Sequence, residues 1–169
     1  MAKVLVIIPP ERFRDEELFV TKSELEKAGH KITIGSTKLG KCPGSRGGYA
    51  ESTILLSNVK VDSFDCLIFV GGGGSKLLFN DNYALQIAKE AHKKGKVLAA
   101  ICLAPVILAN AGVLNGAKAT VAGTEADTIS SKGAIYTGPG VTVDKNIVTA
   151  NGPKSSQLFG QEISQLLAK

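Results

Sequence analysis

The sequence predicts an α/β sandwich, a mostly parallel sheet covered by helices on both faces. Strand-like and helix-like segments alternate along the whole chain. The strand segments are near-continuous apolar runs, as expected where both faces of a strand are covered. No shift of composition, linker or repeat divides the 169 residues, so one domain spans 1–169.

Each element has its own signal. Val4–Ile8 is an apolar run and reads as a buried first strand. Asp15–Ala28 is helical, with Leu18, Thr21, Lys22 and Leu25 in register and Gly29 as a stop. Lys31–Gly35 is a short strand, and the glycine-rich stretch Leu39–Glu51 is a loop or hairpin. Cys66–Val70 is a buried strand running into Gly71–Gly74. Asn82–Lys94 is the clearest helix: Ala84, Ile87, Ala88 and Ala91 share one face, and Gly95 follows as a cap. Val97–Ile101 is a strand that ends at Cys102, and a short helix then runs to about Ala111. Ala119–Ala122, Val141–Asp144 and Ile147–Ala150 read as strands, with Lys145-Asn146 a tight connection between the last two. Ser156–Leu167 closes the chain as a helix, with Phe159, Ile163, Leu166 and Leu167 on one face.

Composition narrows the function classes. A hydrophobic fraction of 44% and a charged fraction of 21% are ordinary for a globular protein. No apolar run approaches the roughly 20 residues that span a bilayer. The segment Met1–Pro10 lacks a signal-peptide cleavage pattern, so a cytoplasmic location is expected, with no membrane partner. The net charge of +5 is carried by scattered lysines, and 5% aromatics without basic interleaving argue against nucleic acid. Three cysteines, Cys42, Cys66 and Cys102, form no CxxC pair, which favours reduced thiols over a disulfide framework or a zinc site. No metal or cofactor is expected. The Gly71–Gly74 run lacks phosphate-loop spacing, and no Ser or Thr follows Lys76.

In parallel sheets, sites form at the carboxyl ends of the strands. Pro9–Glu17, Gly71–Ser75 and Cys102–Pro105 each follow a central strand and are expected to converge on one crevice. Cys102, on a strand-to-helix bend, is the leading nucleophile; its exposure and the helix dipole favour a thiolate. Cys66 belongs to the core, and Cys42 lies in a polar loop suited to an exposed thiol. The glycine run is expected to offer backbone N–H groups to an anion beside Cys102. Asp15 and Glu16 suffice as complements to a helix dipole. A carboxyl group pointing inward at the top of the sheet would instead hydrogen-bond the cysteine sulfur or relay its proton. His30 and His92 both lie at helix ends facing the amino edge of the sheet, so no Cys–His dyad forms within one chain.

Several stretches together resemble the ThiJ/PfpI superfamily, which includes the parkinsonism-linked redox protein and archaeal intracellular proteases. They are Phe13–Leu18, Lys27–Ile34, Phe64–Gly73, Ala99–Pro105 and Ala111–Gly116, with the A-I-C-x-x-P element at Ala100–Pro105 the most specific. The resemblance implies a flavodoxin-like three-layer α/β/α sandwich with Cys102 at a nucleophile elbow. It implies that Glu17 hydrogen-bonds the sulfur, and that the N–H groups of Gly73 and Leu103 form an oxyanion hole. A protonated Glu17 would then lower the cysteine pKa. It further implies a homo-oligomer, a dimer or larger, with Gly72, Asn151 and Arg46 as substrate contacts, Arg46 reaching in from a neighbouring subunit. The chain departs from the family where histidine often follows the cysteine (here Leu103) and where a loop histidine is expected (here Val121–Glu125). Asn151-Gly152-Pro153 stands in place of Arg-Gly-Pro, and Arg14 in place of a common acid. The implied function is a cysteine-dependent stress protein that takes a small carbonyl or acidic ligand. It would be an oxidation sensor or a weak glyoxalase- or deglycase-like enzyme. The alternatives are a PfpI-like cysteine peptidase and a non-catalytic member that binds a ligand or partner.

Overall fold

A computed structural model describes every residue, Met1–Lys169. Its first half contains β1 (Lys3–Ile7), α1 (Asp15–Lys27), β2 (Lys31–Ser36), β3 (Gly40–Pro43), β4 (Tyr49–Ser52), β5 (Ile54–Leu55), β6 (Cys66–Phe69) and α2 (Asn82–Lys93). The second half contains β7 (Val97–Ile101), α3 (Pro105–Asn110), β8 (Lys118–Ala119), α4 (Ala126–Ser131), β9 (Ile135–Tyr136), β10 (Val141–Asp144), β11 (Ile147–Ala150) and α5 (Ser156–Leu167). Seven strands form the main sheet in the order β10-β11-β7-β6-β1-β2-β5. Every neighbouring pair is parallel except β10–β11.

The period-two alternation of the strands builds two cores. Leu5, Ile7, Leu67, Phe69, Leu98 and Ala100 face one side and pack with Ala84, Ile87 and Ala88 of α2, Ile107 and Leu108 of α3, and Ile129 of α4. Val4, Val6, Ile68, Ala99, Ile101 and Val148 face the other and pack with Leu18 and Leu25 of α1 and Phe159 and Ile163 of α5. The result is the three-layer sandwich that the sequence predicts. Helices α1 and α5 lie very close: a Cβ on Gly160 would stand 2.8 Å from Cβ of Glu24.

The winding positions the site. From β1 the chain adds β2 on one side, then returns to place β6, β7 and β11 on the other. The carboxyl ends of β1 and β6 therefore flank a switch point, the place where open parallel sheets bind ligands.

Some details differ from the sequence reading. Leu39–Glu51 is a hairpin, β3–β4, and it turns Cys42 into the core, where it is fully buried rather than exposed. The strand expected over Ala119–Ala122 shortens to β8, which pairs with β9 in a separate two-stranded sheet. The Ala122 N–H is diverted to the Cys102 carbonyl, at 2.8 Å. The Lys145-Asn146 turn forms as read, with Lys145 at φ 54°. No helix is long and apolar enough to cross a membrane.

Candidate active site

Three segments meet at the carboxyl edge, brought together by two glycines at the end of β6. A Cβ on Gly71 would lie 2.6 Å from the Ile101 carbonyl, 2.7 Å from Glu17 Oε1 and 2.8 Å from Cβ of Cys102. Gly72 has φ 103°, and a Cβ there would lie 2.5 Å from both the Arg12 carbonyl and the Arg14 nitrogen. Only glycine lets the end of β6 touch both the β1–α1 loop and the turn after β7. The Arg14 N–H donates to the Gly71 carbonyl at 3.0 Å and locks the loop in place.

Cys102 occupies the turn after β7 with φ 65°, one of three non-glycine residues at positive φ. Such a conformation costs about 1–3 kcal/mol and persists only when its surroundings hold it. Both backbone groups are held: Cys102 N–H donates to the Ala150 carbonyl at 2.9 Å, and its carbonyl accepts from Ala122. Pro105 then begins α3 with no N–H to satisfy. Cys102 is half-buried, whereas Cys42 and Cys66 are buried. Burial pushes the Cys66 thiol far up, so it acts only as core.

Glu17 is fully buried on the inner face of α1. Its Oε1 accepts the Gly71 N–H at 3.0 Å, and its Oε2 has no well-formed hydrogen bond. Desolvation raises its pKa to about 7, against the opposing pull of the Cys102 thiol, the Gly71 N–H and the Arg14 charge. The Cys102 thiol is pushed up to about 12, first by burial and then by the Glu17 charge. The N–H groups of Gly72 and Leu103 pull it the other way. Desolvation thus opposes the thiol acidity that the elbow and the helix dipole favour. The two groups titrate as a pair, and near pH 7 they hold between one and two protons.

Within the glycine loop it is the Gly72 N–H that favours the thiolate, while Gly73 is the donor the resemblance implies for an oxyanion. Gly73 is exposed and starts a short 3-10 helix, Gly73–Leu78. Asp15 does more than complement a dipole: it is buried and accepts the N–H groups of Arg46 at 3.0 Å and Gly48 at 2.8 Å, tethering the β3–β4 loop to α1. The Arg46 side chain is exposed on the Glu16 side of the site. Glu16 is paired with Arg14, whose Nε donates to Oε1 at 3.1 Å and Nη2 to Oε2 at 3.0 Å.

A cavity of about 630 Å³ is lined by Arg14, Glu16, Asn151, Gly152, Pro153 and Lys154, next to the Cys102 turn but without Cys102 in its wall. Sequence reasoning singled out Asn151 here but not Lys154, which carries no motif. Both histidines lie at the opposite edge. His30 Nδ1 accepts the Ala2 N–H at 3.1 Å, and His92 lines a separate cavity with Lys96 and Asp144. No group of three or more His, Cys, Asp or Glu side chains is placed to hold a metal ion.

The model of the DJ-1/PfpI family matches residues 2–166. An uncharacterized protein of Methanocaldococcus jannaschii is 42% identical over 99% of this chain and 83% of its own length. A deglycase of Thermococcus kodakarensis is 31% identical over 96% of this chain and 98% of its own. Among solved structures, a ThiJ/PfpI domain protein of Brachyspira murdochii superposes with a TM-score of 0.96 at 34% identity, covering 98% of this chain and 96% of that one. The oxidized DJ-1 of Toxoplasma gondii gives 0.88 at 28%, covering 99% and 91%. A match of this extent, on a seven-stranded α/β sandwich, places the chain in the DJ-1/PfpI family.

Proposed function

We propose that this chain is a cysteine-dependent enzyme of reactive carbonyls, of the deglycase or glyoxalase type, in which Glu17 takes the part of the absent histidine. The observation that carries the reading is the half-buried Cys102 at a positive-φ turn against a buried Glu17 whose pKa sits at about 7. A base poised near neutral pH is what proton transfer requires. Relatives named deglycases, at 31% identity in Thermococcus kodakarensis, support the same class.

For a 2-oxoaldehyde the steps balance without an outside oxidant. The thiol proton passes to the Glu17 carboxylate as Sγ bonds to the aldehyde carbon. The carbonyl π pair moves to oxygen, which takes the proton back from Glu17 and gives a hemithioacetal. The N–H groups of Leu103 and the glycine turn, at Gly72 or Gly73, stabilise the passing oxyanion. Glu17 then removes the C–H proton of that carbon, and the electron pair shifts through an enediol. Protonation of the neighbouring carbon leaves a thioester of a 2-hydroxy acid. Water breaks the C–S bond and returns the thiol. The aldehyde carbon is oxidised and the ketone carbon reduced, so oxoaldehyde plus water becomes hydroxy acid.

A peptidase reading is weaker, because both histidines stand at the far edge and none protonates a leaving amine. Oxidation sensing fits as a second role of the same sulfur. Cys102 alone of the three thiols reaches solvent, and a protonated Glu17 beside it would hold a sulfinate oxygen. Conversion of methylglyoxal to lactate tests the main reading. Cys102→Ser should lower turnover at least a hundredfold with the fold intact by circular dichroism; unchanged turnover removes the proposal.

A further inference from the structure

We propose that the cavity beside Cys102 is a carboxylate pocket, so that the preferred substrate is a 2-oxoaldehyde carrying a carboxylate at its far end. This deepens the reading above and rests on it for the reaction, though not for the binding.

Two backbone links tie the cavity wall to the Cys102 turn. Cys102 N–H bonds the Ala150 carbonyl, directly before Asn151, and Arg14 N–H bonds Gly71, whose backbone abuts the Cys102 side chain. The Arg14 charge is accordingly felt at both Glu17 and Cys102. The wall is built of donors. Asn151 Oδ1 already accepts from Gly140 N–H at 3.1 Å and Ser155 Oγ at 2.9 Å, which leaves Nδ2 as a donor with no acceptor in the protein. The guanidinium of Arg14 is fixed by three hydrogen bonds to Glu16, two from Nε and one from Nη2, and its Nη1 donates to nothing. Lys154 makes no ion pair, so the wall carries two cations against the single carboxylate of Glu16. A pre-oriented guanidinium edge, an amide N–H₂ and a free ammonium together match a carboxylate. A neutral alkyl end would leave all three facing water alone.

Two measurements test this, and they fail independently. In the first, levulinate (4-oxopentanoate) or neutral 2-pentanone at equal concentration competes with iodoacetamide for Cys102, read by peptide mass spectrometry. Levulinate should slow alkylation at least tenfold more effectively, and Arg14→Gln and Lys154→Ala should each erode that advantage while 2-pentanone behaves alike throughout. Equal protection by the two probes overturns the pocket. In the second, 4,5-dioxopentanoate is compared with 2-oxopentanal as substrate, and the charged compound should have at least a tenfold higher kcat/KM, expressed in KM. Equal kcat/KM values overturn the substrate preference. Selective protection by levulinate without turnover of either aldehyde would leave the carboxylate pocket standing and sink the enzymatic reading instead.

Discussion

Cys102 and Glu17 are the proposed reacting pair because the fold places a strained cysteine and a desolvated carboxyl on either side of one glycine backbone. At Gly71 and Gly72 there is no room for a side chain, and Gly72 also needs φ 103°. Gly72→Ala should therefore cost about 3 kcal/mol or more in urea unfolding, from left-handed strain plus overpacking, and should move the Cys102 turn enough to abolish turnover. A variant of wild-type stability would show that the loop relaxes freely. At this scale the sequence was partly legible. Cys102 stood out from its strand-to-helix bend, whereas Glu17 and Asn151 were singled out only through the family resemblance. The rise of the thiol pKa could not, because desolvation depends on what closes over the sulfur, which local sequence does not record.

Among the elements, the β3–β4 hairpin shows where the periodic signal stops. Strands β1, β6 and β7 and helices α2 and α5 announce themselves through apolar runs and one-sided faces. Glycine-rich 39–51 carries no such pattern, and its place is set by tertiary contacts: Asp15 holds the N–H groups of Arg46 and Gly48, and Phe13 bridges to Gly44. Helix α4 and strand β9 are equally silent, being six residues or fewer, and β8 keeps only Ala119 of the strand predicted there. Asp15→Ala removes two hydrogen bonds to a buried charge, which predicts a loss of about 2–4 kcal/mol. Amide exchange at Arg46 and Gly48 should accelerate in that variant while β1 and β6 stay protected. Unchanged exchange there would mean that the tether is incidental.

For the whole molecule, the buried Glu17 makes stability depend on pH. Its folded pKa of about 7 lies above the ordinary carboxyl value of 4.5, so between these pH values the native state binds more protons than the unfolded chain. Its contribution is fully favourable below about 4.5 and is lost as pH rises through 7, amounting to roughly 3 kcal/mol. Unfolding free energy should fall over that window, and Glu17→Gln should flatten the decline. A decline that persists unchanged in the variant would assign it to other groups. The fold itself was legible from alternation and from the resemblance over nearly the whole chain. The site's charge balance came only from the folded arrangement of Arg14, Glu16 and Lys154.

The rate of Cys102 alkylation by iodoacetamide as a function of pH tests the coupled pair most directly. If Glu17 and Cys102 share a proton, the one-proton state holds a constant fraction of thiolate. The rate should then rise through pH 7, stay level from about 8 to 10, and climb again only toward 12, with the rise at 7 absent in Glu17→Gln. A single inflection near pH ~8.5, as for an ordinary free thiol, would contradict the account.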